Sequence, residues 1–112
     1  MKLTINLPEP YTKKEKALST IVIDALKKRG VPGNRASWYF TQHSAEWLAK
    51  RVWLLDYYME TNPPKSPTGF LIASIEHDYV LPEMFIYWLE AKKQKILSDP
   101  NSSDDLIKLV SI

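Results

Sequence analysis

The 112-residue chain has no cysteine, three glycines and two histidines, and each shortage removes a class of chemistry. Without cysteine there is no disulfide scaffold, Cys-rich zinc module or thiol nucleophile. Gly30, Gly33 and Gly69 are too few and too dispersed for a phosphate-cradling loop or a dinucleotide fingerprint. His43 and His77 are far apart and show no paired ligand spacing, so neither a metal nor another cofactor is expected. No apolar run approaches the roughly 18 residues that a membrane span needs. The N-terminus lacks the apolar core of a signal peptide, so a soluble, cytoplasmic protein with no membrane partner is expected. Nothing pairs a nucleophile with a base, and the chain reads as a non-enzyme.

What is present is one domain's worth of sequence, with 45% hydrophobic residues, 25% charged residues and a net charge of +2. Surface scaling lets a chain of this mass bury about two-thirds of its unfolded surface, enough for a core without staples. The small net charge hides a polarity. Residues 1–30 carry +4, residues 31–62 are neutral, and residues 63–112 carry −2. No dominant basic stripe of the kind found in strong nucleic-acid binders runs through the sequence.

Periodicity predicts an all-α bundle of four to five helices spanning residues 1–112 as a single domain. Leu3, Ile5 and Leu7 alternate with polar residues before Pro8 and Pro10, the pattern of a short strand or extended arm over residues 1–11. The LIKLVSI tail could pair with it in a short terminal two-stranded β pair. Alternatively, the uncertain tail 103–112 forms a last helix capped by Ser103. Thr12 and Glu15 make a capping box for a first helix carrying Ala17, Leu18, Ile21, Val22, Ala25 and Leu26, which Gly30 and Pro32 end. Residues 33–42 read as one or two helical turns. Ser44 caps a long helix from Ala45 to about Glu60 that is apolar over much of its circumference. Ser66 and Pro67 open the next, which carries Phe70 to Tyr79, and Pro82 opens a last long helix to residue 98. The expected core is Leu18, Ile21, Val22, Leu26, Leu48, Val52, Leu55, Phe70, Leu71, Ile75, Phe85, Ile86 and Leu89.

The thirteen aromatics are the most informative group. Trp38, Tyr39 and Phe40 are consecutive, so at most two can face the core, and the third meets solvent, a partner or a base. Exposed aromatics beside Arg or Lys can stack bases while the cations hold phosphate. Arg35 with Trp38 and Tyr39 is one such grouping, and Lys50 and Arg51 with Trp53 another. A long cationic side chain lying over a tryptophan explains the same residues without nucleic acid. Lys13, Lys14 and Lys16 oppose the dipole of the first helix. With Lys27, Lys28 and Arg29 at its far end they complete a candidate basic surface. Glu76, His77 and Asp78 splay by about 100° per residue on a helix, so they read as a solvated face rather than an acid–base cluster.

The stretch from Asn62 to Pro82, NPPKSPTGFLIASIEHDYVLP, resembles a segment near the C-terminus of bacterial plasmid and phage replication initiators. The C-terminal domains of DnaD-type primosome proteins carry a similar tract. Ser66, Pro67, Gly69 and Phe70 match its cap, proline, glycine and aromatic, and Leu71, Ile75 and Tyr79 fall at the spacing of its stripe. Leu71 stands where that stripe has tyrosine, and Tyr79 where it has tryptophan. The resemblance covers about 50 of the 112 residues. It implies an all-α domain that binds DNA, single- or double-stranded, or docks a replicative helicase or other replication protein, without a winged-helix origin-binding part. The residues themselves also allow a protein-interaction or homo-oligomerisation module, such as a small adaptor or regulator from a mobile element, that touches no nucleic acid.

Overall fold

The computed structural model describes residues 13–101 and 104–110, which form five α-helices and one 3-10 turn, with no strand among them. The helices are α1 (Lys13–Lys28), α2 (Gly33–Gln42), α3 (Ala45–Thr61), α4 (Pro67–Glu76) and α5 (Glu83–Leu97). The expected strand at Leu3–Leu7, the Thr12 end of the capping box, Ser103 and the side chains of Lys13 and Lys14 lie outside the described residues.

Local chemistry sets each boundary. Gly30 adopts φ 96°, and α1 ends in paired bonds from the Gly30 N–H to the Lys27 carbonyl (3.0 Å) and from the Val31 N–H to the Leu26 carbonyl (3.1 Å). That is a Schellman stop, sealed by the buried Val31 and Leu26 side chains. The Ser44 hydroxyl accepts from the Trp47 N–H at 3.1 Å and starts α3. Ser66 accepts from the Gly69 N–H at 3.1 Å with Pro67 in the first turn of α4. A Cβ on Gly69 would meet the Ser66 Oγ at 2.8 Å, so any other residue there would make the cap shift. Residues 33–42 form a full ten-residue helix, longer than the one or two turns expected.

The central element is α3, which contacts α1, α2, α4, α5 and the 3-10 turn. Leu48, Ala49, Val52, Trp53, Leu54 and Leu55 are all buried along it. Val22 and Leu26 of α1, Leu71 and Ile75 of α4, and Phe85 and Leu89 of α5 close around them. Ile21, Phe70 and Ile86 pack half-buried at the margin. Leu18 is likewise half-exposed and falls outside the core cluster. An aromatic seam ties three helices together. Trp88 meets Trp53 and Tyr57, Tyr57 meets Tyr58, and Tyr58 meets Phe70, which in turn meets Tyr79, at centroid separations of 5.1–6.2 Å.

The C-terminal half of the expected β pair is a 3-10 turn instead, Ile107–Leu109. Asp104 explains the difference, because its Oδ1 accepts from the N–H groups of Leu106 (3.1 Å) and Ile107 (3.3 Å) and starts a helical turn. A strand would put Lys108 on the same face as Leu106 and Val110. The turn instead buries Leu106, Ile107 and Val110 and leaves Lys108 exposed.

Candidate functional site

The structure divides the basic residues singled out by the sequence. Arg29 is committed internally: Nε and Nη2 reach the two oxygens of Asp56 at 3.2 and 2.8 Å, and Nη1 donates to the Ala25 carbonyl at 3.0 Å. Lys50 pairs with Glu46 at 3.4 Å. Arg51 is buried, at 4% exposure. Lys16, Lys27 and Lys28 of α1 and Arg35 of α2 stay exposed. Lys27, Lys28 and Arg35 form no ion pair among the described residues.

The consecutive aromatics separate as their spacing requires. Tyr39 is buried, Phe40 packs half-buried on the core, and Trp38 is the exposed third at 60%. The motif residues form a helix stripe only as far as Ile75, because α4 ends at Glu76 rather than running on to Tyr79 as expected. Leu71 and Ile75 are buried, Phe70 wedges between Tyr58 and Tyr79, and Tyr79 reaches the surface at 39% exposure.

Arg51 organises the far end of α4. Its guanidinium carbon lies 4.2 Å from the centre of the Trp47 ring, and His43 stacks on the same indole at 3.9 Å with an 11° interplanar angle. Nη2 donates to Asp78 Oδ1 at 2.8 Å. Nε and Nη1 are buried and have no hydrogen-bond partner among the described residues. Burial lowers the guanidinium's pKa, and the charge of Asp78 acts against that shift. Asp78 sits just beyond α4 at φ 48°, a left-handed conformation that aspartate tolerates better than most side chains.

Two residues earlier, Glu76 accepts a hydrogen bond from the Tyr39 hydroxyl. Burial, with Glu76 second, pushes the Tyr39 phenol up to about 12. Glu76 and Asp78 thus do not form the simple solvated face expected of them, since each is anchored by a buried side chain from another helix. Both line a groove of about 480 Å³ together with Trp38, Tyr39, Gln42, His43, Trp47 and Ile75. Sequence reasoning missed this groove, although an arginine inside the apolar circumference of α3 signals a distant carboxylate partner.

Next to Asp78 the surface turns apolar. Val80 is 89% exposed, Met84 65% and Tyr87 58%. Between Lys65 and Lys92 the sequence has no lysine or arginine, and Glu76, His77, Asp78, Glu83 and Glu90 fall within that span and are exposed. The α4–α5 corner thus exposes apolar side chains in a stretch of chain that carries four carboxylates and His77 but no lysine or arginine.

A second cleft, of about 590 Å³, lies between α1, α3 and the C-terminal turn and is lined by Asp24, Asp56, Asp104, Asp105, Lys28 and Arg29 among others. Its acids are largely engaged. Asp56 holds Arg29, Asp104 caps the turn, and Asp105 pairs with Lys108 at 3.5 Å. Among the described residues no group of histidines and carboxylates could hold a metal ion, and no helix is long and apolar enough to cross a membrane. Comparison with protein-family models, curated proteins and solved structures found no match.

Proposed function

We propose that the chain is a non-catalytic docking domain of DNA replication initiation that holds a protein partner, a replicative helicase component in the reading its resemblance favours. The observation that carries the docking role is the α4–α5 corner, where Val80, Met84 and Tyr87 are exposed in a stretch with four carboxylates and no lysine or arginine. Exposed apolar patches with polar rims mark interaction surfaces. The motif that carries the resemblance builds α4 and ends at this corner, with Tyr79 beside Val80. Direct DNA binding has less support, because Arg29, Lys50 and Arg51 direct their charge to internal carboxylates.

One specific observation favours a nucleic-acid reading as the second. Lys27, Lys28 and Arg35 are exposed around the α1–α2 turn, and the exposed Trp38 lies one helical turn beyond Arg35. Cations beside an exposed indole suit a single strand.

Binding to the purified replicative helicase of the same host, followed by sedimentation, tests the first reading. The wild-type chain is expected to bind, and a Val80→Ser/Met84→Ser variant to lose that binding while keeping its helical spectrum. Unchanged binding by the variant would refute the corner as the docking face. A labelled single-stranded oligonucleotide separates the second reading, which requires binding that falls steeply with salt. Light scattering on the free protein shows whether the corner instead joins two copies of this chain.

A further inference from the structure

We infer that the groove between α2, the start of α3 and the end of α4 receives one cationic side chain, a lysine or arginine presented by a basic segment of the docking partner. This inference rests on the docking reading above and specifies the partner's chemistry.

Three observations support it. First, the two rim carboxylates are held from inside by one oxygen each. Glu76 Oε2 accepts from the Tyr39 hydroxyl, and Asp78 Oδ1 accepts from Arg51 Nη2. The second oxygen of each has no partner among the described residues, and both residues line the groove. Anchored carboxylates with free oxygens are preorganised acceptors for an ammonium or guanidinium group.

Second, the walls are aromatic. Trp38 is 60% exposed and has no cation over its ring, whereas Trp47 is already covered by Arg51. An indole face beside a carboxylate attracts an alkylammonium or guanidinium through the ring quadrupole and holds its apolar stem as well. Third, the groove volume of about 480 Å³ lies in the range of ligand-sized sites. It adjoins the apolar corner through Asp78, so a bound segment can place apolar residues on Val80 and Met84 and a cation in the groove. An anionic ligand is disfavoured. Two carboxylates line the site, and the cation behind them, Arg51, is buried. Arg35 lies near Tyr39 but is exposed and able to turn into water.

The test uses the full chain, labelled with nitrogen-15, and two peptides: acetyl-Ala-Leu-Arg-Leu-Ala-amide and the same peptide with citrulline for arginine. Citrulline keeps the shape and removes the charge. The arginine peptide is expected to shift the indole N–H signals of Trp38 and Trp47 and to saturate, with the citrulline peptide at least about tenfold weaker. Trp38→Ala and Glu76→Gln are each expected to weaken the arginine peptide by about fivefold. Neither change should unfold the protein, because Trp38 is exposed and glutamine still accepts from Tyr39. Equal binding of both peptides, unmoved indole signals, or full affinity in Glu76→Gln would overturn the groove assignment. If the Val80→Ser/Met84→Ser variant loses the helicase while the arginine peptide leaves both indoles unmoved, the groove assignment fails and the docking reading stands. If the peptide binds as expected and the corner variant keeps the helicase, the corner fails and the cation groove stands.

Discussion

Replacing Arg51 by methionine should leave the protein about as stable as before or make it more stable, although it deletes an ion pair from a buried position. The guanidinium is 4% exposed, and only Nη2 has a partner, Asp78 at 2.8 Å. A charge pair near 4 Å is worth about 4 kcal/mol at an effective dielectric of about 20. The Asp78 side chain is 80% exposed, and solvent screening reduces the attraction to about 2 kcal/mol. Against it stand two buried nitrogens without partners among the described residues, Nε and Nη1, each carrying a desolvation penalty of about 1–3 kcal/mol. The cation–π contact with Trp47 contributes about 1 kcal/mol in favour of arginine. The balance runs from about 1 kcal/mol in favour of arginine to about 3 kcal/mol in favour of methionine, which keeps the unbranched stem on Trp47.

Asp78→Asn should behave in the opposite way. It strands the buried cation and destabilises the wild-type background by about 2 kcal/mol. In the Arg51→Met background the same change should have almost no effect. Urea unfolding followed by circular dichroism on the four proteins closes the cycle, and the midpoints report the coupling directly. Two results would refute the electrostatic account. One is destabilisation by Arg51→Met of more than about 1 kcal/mol. The other is an undiminished effect of Asp78→Asn once Arg51→Met has removed the cation.

Gly30→Ala is expected to destabilise by about 2–3 kcal/mol, since the residue sits at φ 96° and a Cβ would lie 2.4 Å from the Thr68 Oγ1. Thermal melting measures it, and an unchanged melting temperature would mean the α1–α4 approach is slack. Ser66→Ala removes the cap on α4 and should cost about 1 kcal/mol, whereas Ser66→Asp, which preserves a capping oxygen, should cost much less in the same melt. The Tyr39 phenol is raised from 10.0 to about 12. Its stabilising contribution is therefore complete below pH 10 and is lost as pH climbs through 12. Tyr39→Phe should flatten that alkaline decline and remove a late-ionising phenol from the ultraviolet titration. An unaltered titration curve would place the shift elsewhere.

Helix boundaries were legible wherever a side chain or a glycine sets them locally. Gly30, Ser44, and Ser66 with Pro67 each act within five residues, and each stop or start falls where the sequence puts it. The core stripe was legible for the same reason, since 3.6-residue spacing fixes which side chains share a face. What failed was decided by competition over a short span. The LIKLVSI tail alternates well enough for a strand, but Asp104 offers its oxygen to two amides at once, and local capping wins. The candidate site was legible in its parts and not in its pairings. Arg29 and Arg51 were visible as cations, and Asp56 and Asp78 as acids, but each pair is 27 positions apart. Only the packing of α3 against α1 and α4 brings them together. Charge identity is a sequence property, whereas charge neutralisation is a tertiary one.

That distinction gives Arg51 a meaning beyond its stability balance. On that balance an apolar residue at position 51 would hold the interior about as well, so stability alone gives little reason for the arginine. What the guanidinium adds is direction. It reaches from the central helix to Asp78, holds the chain in a left-handed turn just after α4, and so fixes where Val80 and Met84 emerge. Trp47, which carries the guanidinium on its ring, also forms a wall of the groove. Arg51 thereby links the carboxylate of Asp78, the aromatic wall of the groove and the turn that leads to the apolar corner. A gain in stability on Arg51→Met would mark the arginine as kept for orienting that surface, which is what the docking proposal requires.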